Sequence, residues 1–578
     1  MVWKALTDGL TEALKRAGLD GPGRLERLEL AIPREPAHGD WTTNLALALA
    51  RELGQPPRKL AESLARAYPL DPNLFDRVEV AGPGFLNFHY SRAFVEGLAA
   101  RVLAEGVRFG RSGGDVGPTI MVEYVSANPT GPLNVVSARA AAVGATLIRL
   151  LQATGHHCVG EFYINDAGNQ VDLLGASLAA RFAERIGVPR ELPEGGYQGE
   201  YLRELAAELP EPEARRALGD PSAGAWFRDQ ALDRMVASQQ RDLAAYGADF
   251  ACWFRESTLH ESGAVGETLA ELKARDMTYR AVVPEIDRNP GNRGQDAPAP
   301  GAGEEATWLR TGRFGDDKDR VIVRSNGVPT YLLPDIAYHR DKRVRGNRHA
   351  INLWGPDHHA YVGTLKAALS ALGLEDDFLE ILIVQQVNLL RGGQPVKMSK
   401  RAGEFVTLRD LIDEVGADCA KFFFLMRSTS AHLDFDLDLA KRQNDENPAY
   451  YVQYAHARIA SVLRYASERG LRPAESVRPG ALDQPQEIAL ARRLAMFPVV
   501  VRGAAMSREP QRIPSFLVET AAEFHRFYHA CRVVSDDVER SRERLLLAEA
   551  ARQVLANGLA LMGVTAPDRM ERFEETAA

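Results

Sequence analysis

Two short stretches carry residue types arranged for chemistry on phosphate. The first, residues 119–155, opens with an apolar run, Ile120 to Val125, that reads as a buried strand. A breaker-rich turn follows, Asn128-Pro129-Thr130-Gly131-Pro132. A helix then spans about Val135 to Ala153, with Gly155 as its stop. Strand, tight loop and helix together present backbone N–H groups to an anion at the helix N-terminus. Neither a G-x-G-x-x-G nor a Walker pattern occurs here, so on spacing alone the unit is equally one more βα element of any α/β protein. The second stretch, Val396-Lys397-Met398-Ser399-Lys400-Arg401, lies about 260 residues further on. Lysines on a loop are ordinarily just solvated. Set against a nucleotide, Lys397 and Lys400 would place positive charge on phosphate oxygens.

The totals bound what these stretches can belong to. The chain has 578 residues, 45% hydrophobic and 26% charged, so several ordinary globular domains are expected. No apolar run approaches the ~20 residues of a membrane span, and Met1 to Asp8 lacks the apolar core of a signal peptide. Cys158, Cys252, Cys419 and Cys531 are far apart with no C-x-x-C pair, which fits a reducing, cytoplasmic setting. Net charge is −8, so any nucleic-acid site has to be a local basic patch. His358-His359 invites a metal, but no third ligand accompanies the pair, and no metal site is assigned.

The spelling of Val396–Arg401 resembles the KMSKS loop of the class I aminoacyl-tRNA synthetases, and the strand-loop-helix at 119–155 then sits where those enzymes carry their HIGH signature. The run Glu123-Tyr124-Val125-Ser126-Ala127-Asn128-Pro129-Thr130-Gly131-Pro132-Leu133 is similar to the arginyl-tRNA synthetases in particular, of the bacterial type. So are Tyr163-Ile164-Asn165-Asp166-Ala167-Gly168-Asn169-Gln170, Thr330 to His339, Asn352 to His359, and Tyr450 to His456. The resemblance implies an α/β fold: a Rossmann-like catalytic domain, an N-terminal α/β module and a C-terminal all-α helix bundle. It implies ATP-dependent ligation of L-arginine to tRNA(Arg) through an arginyl-adenylate, with Mg2+ on the ATP phosphates and the chain acting as a monomer. It places Glu123, Ser126 and Asn128 on the amino acid. Tyr331 and Asp335 would face the guanidinium, whose parallel N–H groups a carboxylate accepts side by side. Asn134, Val136, Ser137, Asp357, His358, Lys397, Met398, Ser399 and Lys400 would line ATP. Lys397, Lys400, Asn134 and Ser137 would be the catalytic set. Phe85 and Asn87, in a Gly-Pro-Gly hairpin, would stack on and hydrogen-bond an exposed base at the tRNA elbow. Tyr451, Tyr454 and Met570, the last in Pro567-Asp568-Arg569-Met570, would bind the anticodon side.

The expected domains are 1–106 for the N-terminal module, 117–410 for the catalytic domain, 411–446 for a stem, and 447–578 for the bundle. Residues 106–117 read as a linker and 172–306 as a helical insertion in the catalytic domain. The main sheet is expected to resume near Thr307-Trp308-Leu309.

One departure matters. Where the family has His-x-Gly-His, this chain has Asn134-Val135-Val136-Ser137. Asn134 and Ser137 can donate hydrogen bonds but carry no charge, and Val136 puts a branched side chain where adenine would rest. Two charge-assisted bonds of ~1.5–3 kcal/mol each, lost without replacement, would slow the reaction roughly 10²–10⁴-fold. Three readings therefore stand: a working synthetase with a shifted adenine pose, a paralogue that binds tRNA or arginine without making adenylate, and a nucleotidyl transferase with another acceptor. Arg139, just beyond the altered signature, is either a substitute for the lost histidines or a solvent-facing helix residue.

Overall fold

Short β-rich apolar runs alternating with Ala- and Leu-rich helical stretches build a five-stranded, all-parallel sheet. The computed structural model describes residues 2–33, 35–113, 117, 119–220, 224–283, 303–396 and 406–570. The strands are β1 (Ile120–Glu123), β2 (Cys158–Ile164), β3 (Cys252–Arg255), β4 (His349–Trp354) and β5 (Leu379–Ile383), ordered in space β5-β4-β1-β2-β3. The winding reverses between β1 and β4, where Glu123 stands beside Asn352. In open parallel sheets, ligands bind in the crevice at the carboxyl ends of such strands.

Helix α1 (Val135–Ala153) follows β1. It is rich in Ala and buried on most sides, as expected of a helix packed inside a large domain. It and Val538–Met562 are long and apolar enough to cross a membrane by composition; in this fold 67% of each such stretch is buried as core.

Two expectations are corrected. Cys252–Arg255 lies within the stretch read as one helical insertion, yet it is an edge strand of the main sheet, paired with β2 from Glu161↔Cys252 to Ile164↔Arg255. Four residues between helices are too few to show a period of two. The helical excursion proper runs from Asn169–Arg185 through Tyr201–Glu208 and Glu211–Gly219 to α2 (Gly224–Tyr246), around its own core. Thr307-Trp308-Leu309 does not resume the main sheet either. It belongs to a separate antiparallel sheet of Thr278–Val282, Glu305–Leu309 and Arg320–Val323, and the main sheet resumes only at β4.

The N-terminal module is a four-stranded antiparallel sheet backed by helices, with Trp41 fully buried and its Nε1 donating to the Tyr90 hydroxyl at 2.8 Å. Its exit, read as a linker, is pinned to the C-terminal bundle. Phe109 is 2% exposed and stacks on Phe497 at 6.2 Å, and Asn557 Nδ2 donates to the carbonyls of Gly106 (2.9 Å) and Phe109 (3.0 Å). Gly110, at φ 94°, abuts the Phe497 ring so closely that no side chain fits.

After the main sheet, Leu408–Val415 and α4 (Ala417–Leu425) form the stem, broken at Gly416, and lead to the bundle's first helix, α5 (Pro448–Ser467). A downstream strap joins the two. Thr565 N donates to Asp418 Oδ2 (2.9 Å), Gln453 Nε2 to the Thr565 carbonyl (3.0 Å), and His456 Nδ1 meets the Pro567 carbonyl (2.9 Å).

Candidate active site

At the carboxyl end of β1 the backbone leaves the ordinary regions. Val125 has φ 69° and Ser126 φ 39°, and a β-branched residue in left-handed space is strained. The strand expected to run to Val125 therefore ends at Glu123. The turn is held from both sides. Ser126 Oγ donates to Glu123 Oε1 (3.1 Å) and accepts from Tyr163 N (3.1 Å). Gln239 on α2 donates to the carbonyls of Asn128 (3.3 Å) and Gly131 (3.0 Å), and the Tyr201 hydroxyl to that of Thr130 (2.7 Å). The helical excursion thus shapes the signature loop. Asn128 is exposed and bonds Gln170 Oε1 at 3.0 Å.

Three acids, Glu123 and Glu161 buried and Asp335 part-buried, lie around this turn and α3 (Leu332–Val344). Glu123 is paired with Lys342 at 2.6 Å, and Lys342, with no exposed surface, also donates to Asn352 Oδ1 (3.0 Å). Glu161 is paired with Arg345 at 2.6 Å and accepts from the Tyr338 hydroxyl, also at 2.6 Å. Asp335 differs. Its Oδ2 accepts from the Tyr361 hydroxyl at 2.7 Å, and among the described residues no cation lies within ion-pair distance. Burial, with Glu256 and Glu123 nearby, pushes its carboxyl up to about 7. Glu256, hydrogen-bonded to the Tyr163 hydroxyl, is raised too, chiefly by burial. Tyr331, at the start of α3, is 50% exposed. The arrangement is a cluster of acids in which Glu123 and Glu161 have their cations and Asp335 has none within ion-pair distance among the described residues.

Beyond the turn, Asn134 caps α1. Its Oδ1 accepts from Val136 N and Ser137 N, both at 3.0 Å, with Ser137 Oγ at 3.3 Å. Its oxygen is thereby committed to the helix, and Nδ2 has no protein partner among the described residues. An Asn134→Ala chain should lose about 1 kcal/mol of stability. Asn134→Asp should melt like wild type yet show a higher KM for ATP, because its charge would face phosphate; thermal melts beside ATP titrations check both. Asn134 also bridges Thr407, and Leu408 N donates to the Leu133 carbonyl at 2.7 Å. The segment following Val396–Arg401 is thus fastened to the altered signature. Lys397, Met398, Ser399 and Lys400 themselves lie outside the described residues. Asp357 and His358 are exposed on the turn after β4, 3.4 Å apart. Val136 is partly buried against the core.

Both readings of Arg139 are corrected. It is neither solvent-facing nor open to a ligand, being 0% exposed, with Nη1 donating to the Gln385 carbonyl and Nη2 to that of Ser428, each at 2.8 Å. Burial pushes its guanidinium down to about 10.

Away from the cleft, Phe85 is 37% exposed, whereas Asn87 on the same strand face is 3% exposed. Asn87 is central in its sheet, flanked by Thr42 and Glu79. On α5, Tyr451 and Tyr454 gather around His525, with ring centroids at 5.2 and 6.4 Å. Arg458 donates to the Tyr454 hydroxyl (3.2 Å) and lies 4.5 Å over Tyr528. Burial and the nearby Arg458 hold His525 down at about 4, so this face keeps a neutral imidazole between its aromatics. Met570 lines a cavity of about 440 Å³ with Tyr450, Gln453, Glu414 and Lys441.

Lys342, Tyr361, Gln239 and Glu256 were missed by sequence reasoning. Lys342 and Tyr361 stand just past two of the runs that carry the resemblance, after His339 and His359, whereas Gln239 reaches the turn from 108 residues or more along the chain.

The parallel sheet with its reversal, followed by a helix bundle, is the fold of the class I aminoacyl-tRNA synthetases. Two family models match: "Arginyl tRNA synthetase N terminal domain" over residues 4–90 and "DALR anticodon binding domain" over 452–570. An arginine–tRNA ligase of Syntrophotalea carbinolica is 44% identical over 95% of this chain and 96% of its own length. One of Geobacillus kaustophilus is 41% identical over 98% of each. The Thermus thermophilus arginyl-tRNA synthetase structure superposes with a TM-score of 0.76 at 23% identity, over 99% of this chain and 100% of that one. The chain belongs to the arginyl-tRNA synthetase family.

Proposed function

We propose that this chain joins L-arginine to tRNA(Arg) in two steps, in the cytoplasm. An oxygen of the arginine carboxylate attacks the α-phosphorus of ATP, forming arginyl-adenylate and releasing pyrophosphate. The terminal ribose hydroxyl of the tRNA then attacks the arginyl carbonyl carbon, and AMP leaves. The observation that carries the amino-acid choice is Asp335: a part-buried carboxyl group braced by the Tyr361 hydroxyl with no cation within ion-pair distance among the described residues. A guanidinium offers it two parallel N–H groups and the missing charge.

Tyr331 would close over that guanidinium, and Glu123, Ser126 and Asn128 would hold the head group. Glu123 does so as an ion-paired carboxylate, its charge shared with Lys342. The amide N–H groups at the start of α1, with Asn134 Nδ2, would face the nucleotide, and Asp357 and His358 would border it. Lys397 and Lys400, with Met398 and Ser399 between them, would stabilise the transferring phosphate. Among the described residues no group of three or more His, Cys, Asp or Glu is placed to hold a metal ion. Magnesium would come bound to the ATP phosphates, where it neutralises charge. Phe85, the Tyr451–Tyr454–His525 face and Met570 would meet tRNA bases.

The test is charging of cognate tRNA with labelled arginine, ATP and magnesium, beside a Lys397→Ala chain. Charging that collapses in the variant supports the reading. No charging by wild type, with tRNA binding retained, would make the chain a binding paralogue.

A further inference from the structure

Arg139 is a buried cation without an anion among the described residues. Its fork spans carbonyls only: Gln385 at 2.8 Å, Gln386 at 3.4 Å and Ser428 at 2.8 Å. Buried charges are ordinarily paired, and an apolar side chain of similar size would fill the same space without the desolvation cost. What the guanidinium adds is a rigid fork reaching two separate segments at once.

Those segments are well defined. Gln385 and Gln386 lead into the strand Val387–Arg391, which pairs with Gln394–Pro395, and Val396 N donates back to the Leu389 carbonyl at 2.8 Å. This hairpin is one root of the stretch Val396–Arg401. The other root, Thr407, bridges Asn134 at the head of α1. Ser428 follows the stem helix α4, and Gln385 N donates to the Thr429 carbonyl at 2.8 Å. The first two turns of α1 therefore hold both roots, one through Asn134 and the other through Arg139.

We propose that Arg139 is a positioning residue for adenylate formation, setting the spacing between the nucleotide-facing head of α1 and the hairpin Val387–Pro395. The proposal rests on the function given above. Any drift between head and hairpin would move the donors on α1 relative to the lysines that follow the hairpin, and misplacement by ~1 Å can cost about 10²-fold in rate.

Arginine-dependent ATP–pyrophosphate exchange, run with tRNA present, tests it on Arg139→Met and Arg139→Lys. Lysine keeps the charge but reaches one segment, not two. Expected per active site, counted by titration, are falls in kcat of about 10²-fold for methionine and about 10-fold for lysine. KM for arginine and tRNA affinity should stay within about twofold. Should Arg139→Met not fold, the lysine chain carries the test. Unchanged kcat per active site, with only the active fraction or melting temperature lowered, would mean a merely structural brace and overturns the proposal. So does a rise in arginine KM as large as the fall in kcat. Wild-type protein without exchange overturns the functional reading itself; wild-type exchange matched by the variants overturns only the role of Arg139.

Discussion

Asp335→Asn should lower kcat/KM for arginine in pyrophosphate exchange by about 10²–10⁴-fold, with KM for ATP little changed. Two charge-assisted bonds of ~1.5–3 kcal/mol each are at stake, and an amide offers the guanidinium one acceptor and a repelling NH2. The Tyr361 hydroxyl, 2.7 Å away, can still donate to the Asn oxygen, so the pocket keeps its shape while losing its charge. The same carboxyl makes binding depend on pH. Burial first, then Glu256 and Glu123, hold it at about 7 in the empty pocket. Below that pH a proton has to leave before the guanidinium docks. Affinity for arginine should rise up to about tenfold per unit between pH 5 and 7 and level off above, whereas Asp335→Asn should lack this dependence. Calorimetry in buffers of different ionisation enthalpy would count the proton.

Stability follows with the opposite slope. The folded carboxyl titrates above its unfolded value, so between about pH 4 and 7 the folded chain binds the extra proton. The empty protein should then lose stability as pH rises through that window. Saturating arginine should flatten the decline. Asp335→Asn should flatten it only partly, since Glu256, also raised, contributes in the same direction. Melting temperatures across pH 4–8, with and without arginine, check each sign.

Lys342→Met carries the largest expected stability loss, about 3–5 kcal/mol in the catalytic domain, because it leaves Glu123 buried, charged and unpaired. Asn352 Oδ1 loses its donor at the same stroke. Pairing the change with Glu123→Gln should return much of the loss, since the amide needs no counter-charge. Urea transitions followed by tryptophan fluorescence would show it, with the midpoint as readout because a chain of several domains need not unfold in one step. A double variant as unstable as the single one would place the cost in packing instead of charge.

Local pattern revealed what is local. The strand-turn-helix at 119–155 was legible because breakers bracket it. Asp335 was legible as an acid in the first turn of a helix, and its pairing with guanidinium came through the resemblance. Its isolation was not legible: it depends on Lys342 and Arg345 being spent on Glu123 and Glu161, which lie 219 and 184 residues away in the chain. Asn134 looked like a weakened phosphate donor. Only the fold shows its oxygen turned into the helix. Arg139 sits two residues past Ser137, and nothing in spacing reveals that three carbonyls from beyond residue 384 meet it. Cys252–Arg255 was hidden by its brevity.

The pin that ties Phe109 to Asn557 spans 448 residues. During synthesis at roughly 5–20 residues per second, about 20–90 s separate the emergence of the two partners. The Phe109 ring itself waits for Phe497, so through most of that interval it stands without its stacking partner while the ribosome is still producing the catalytic domain.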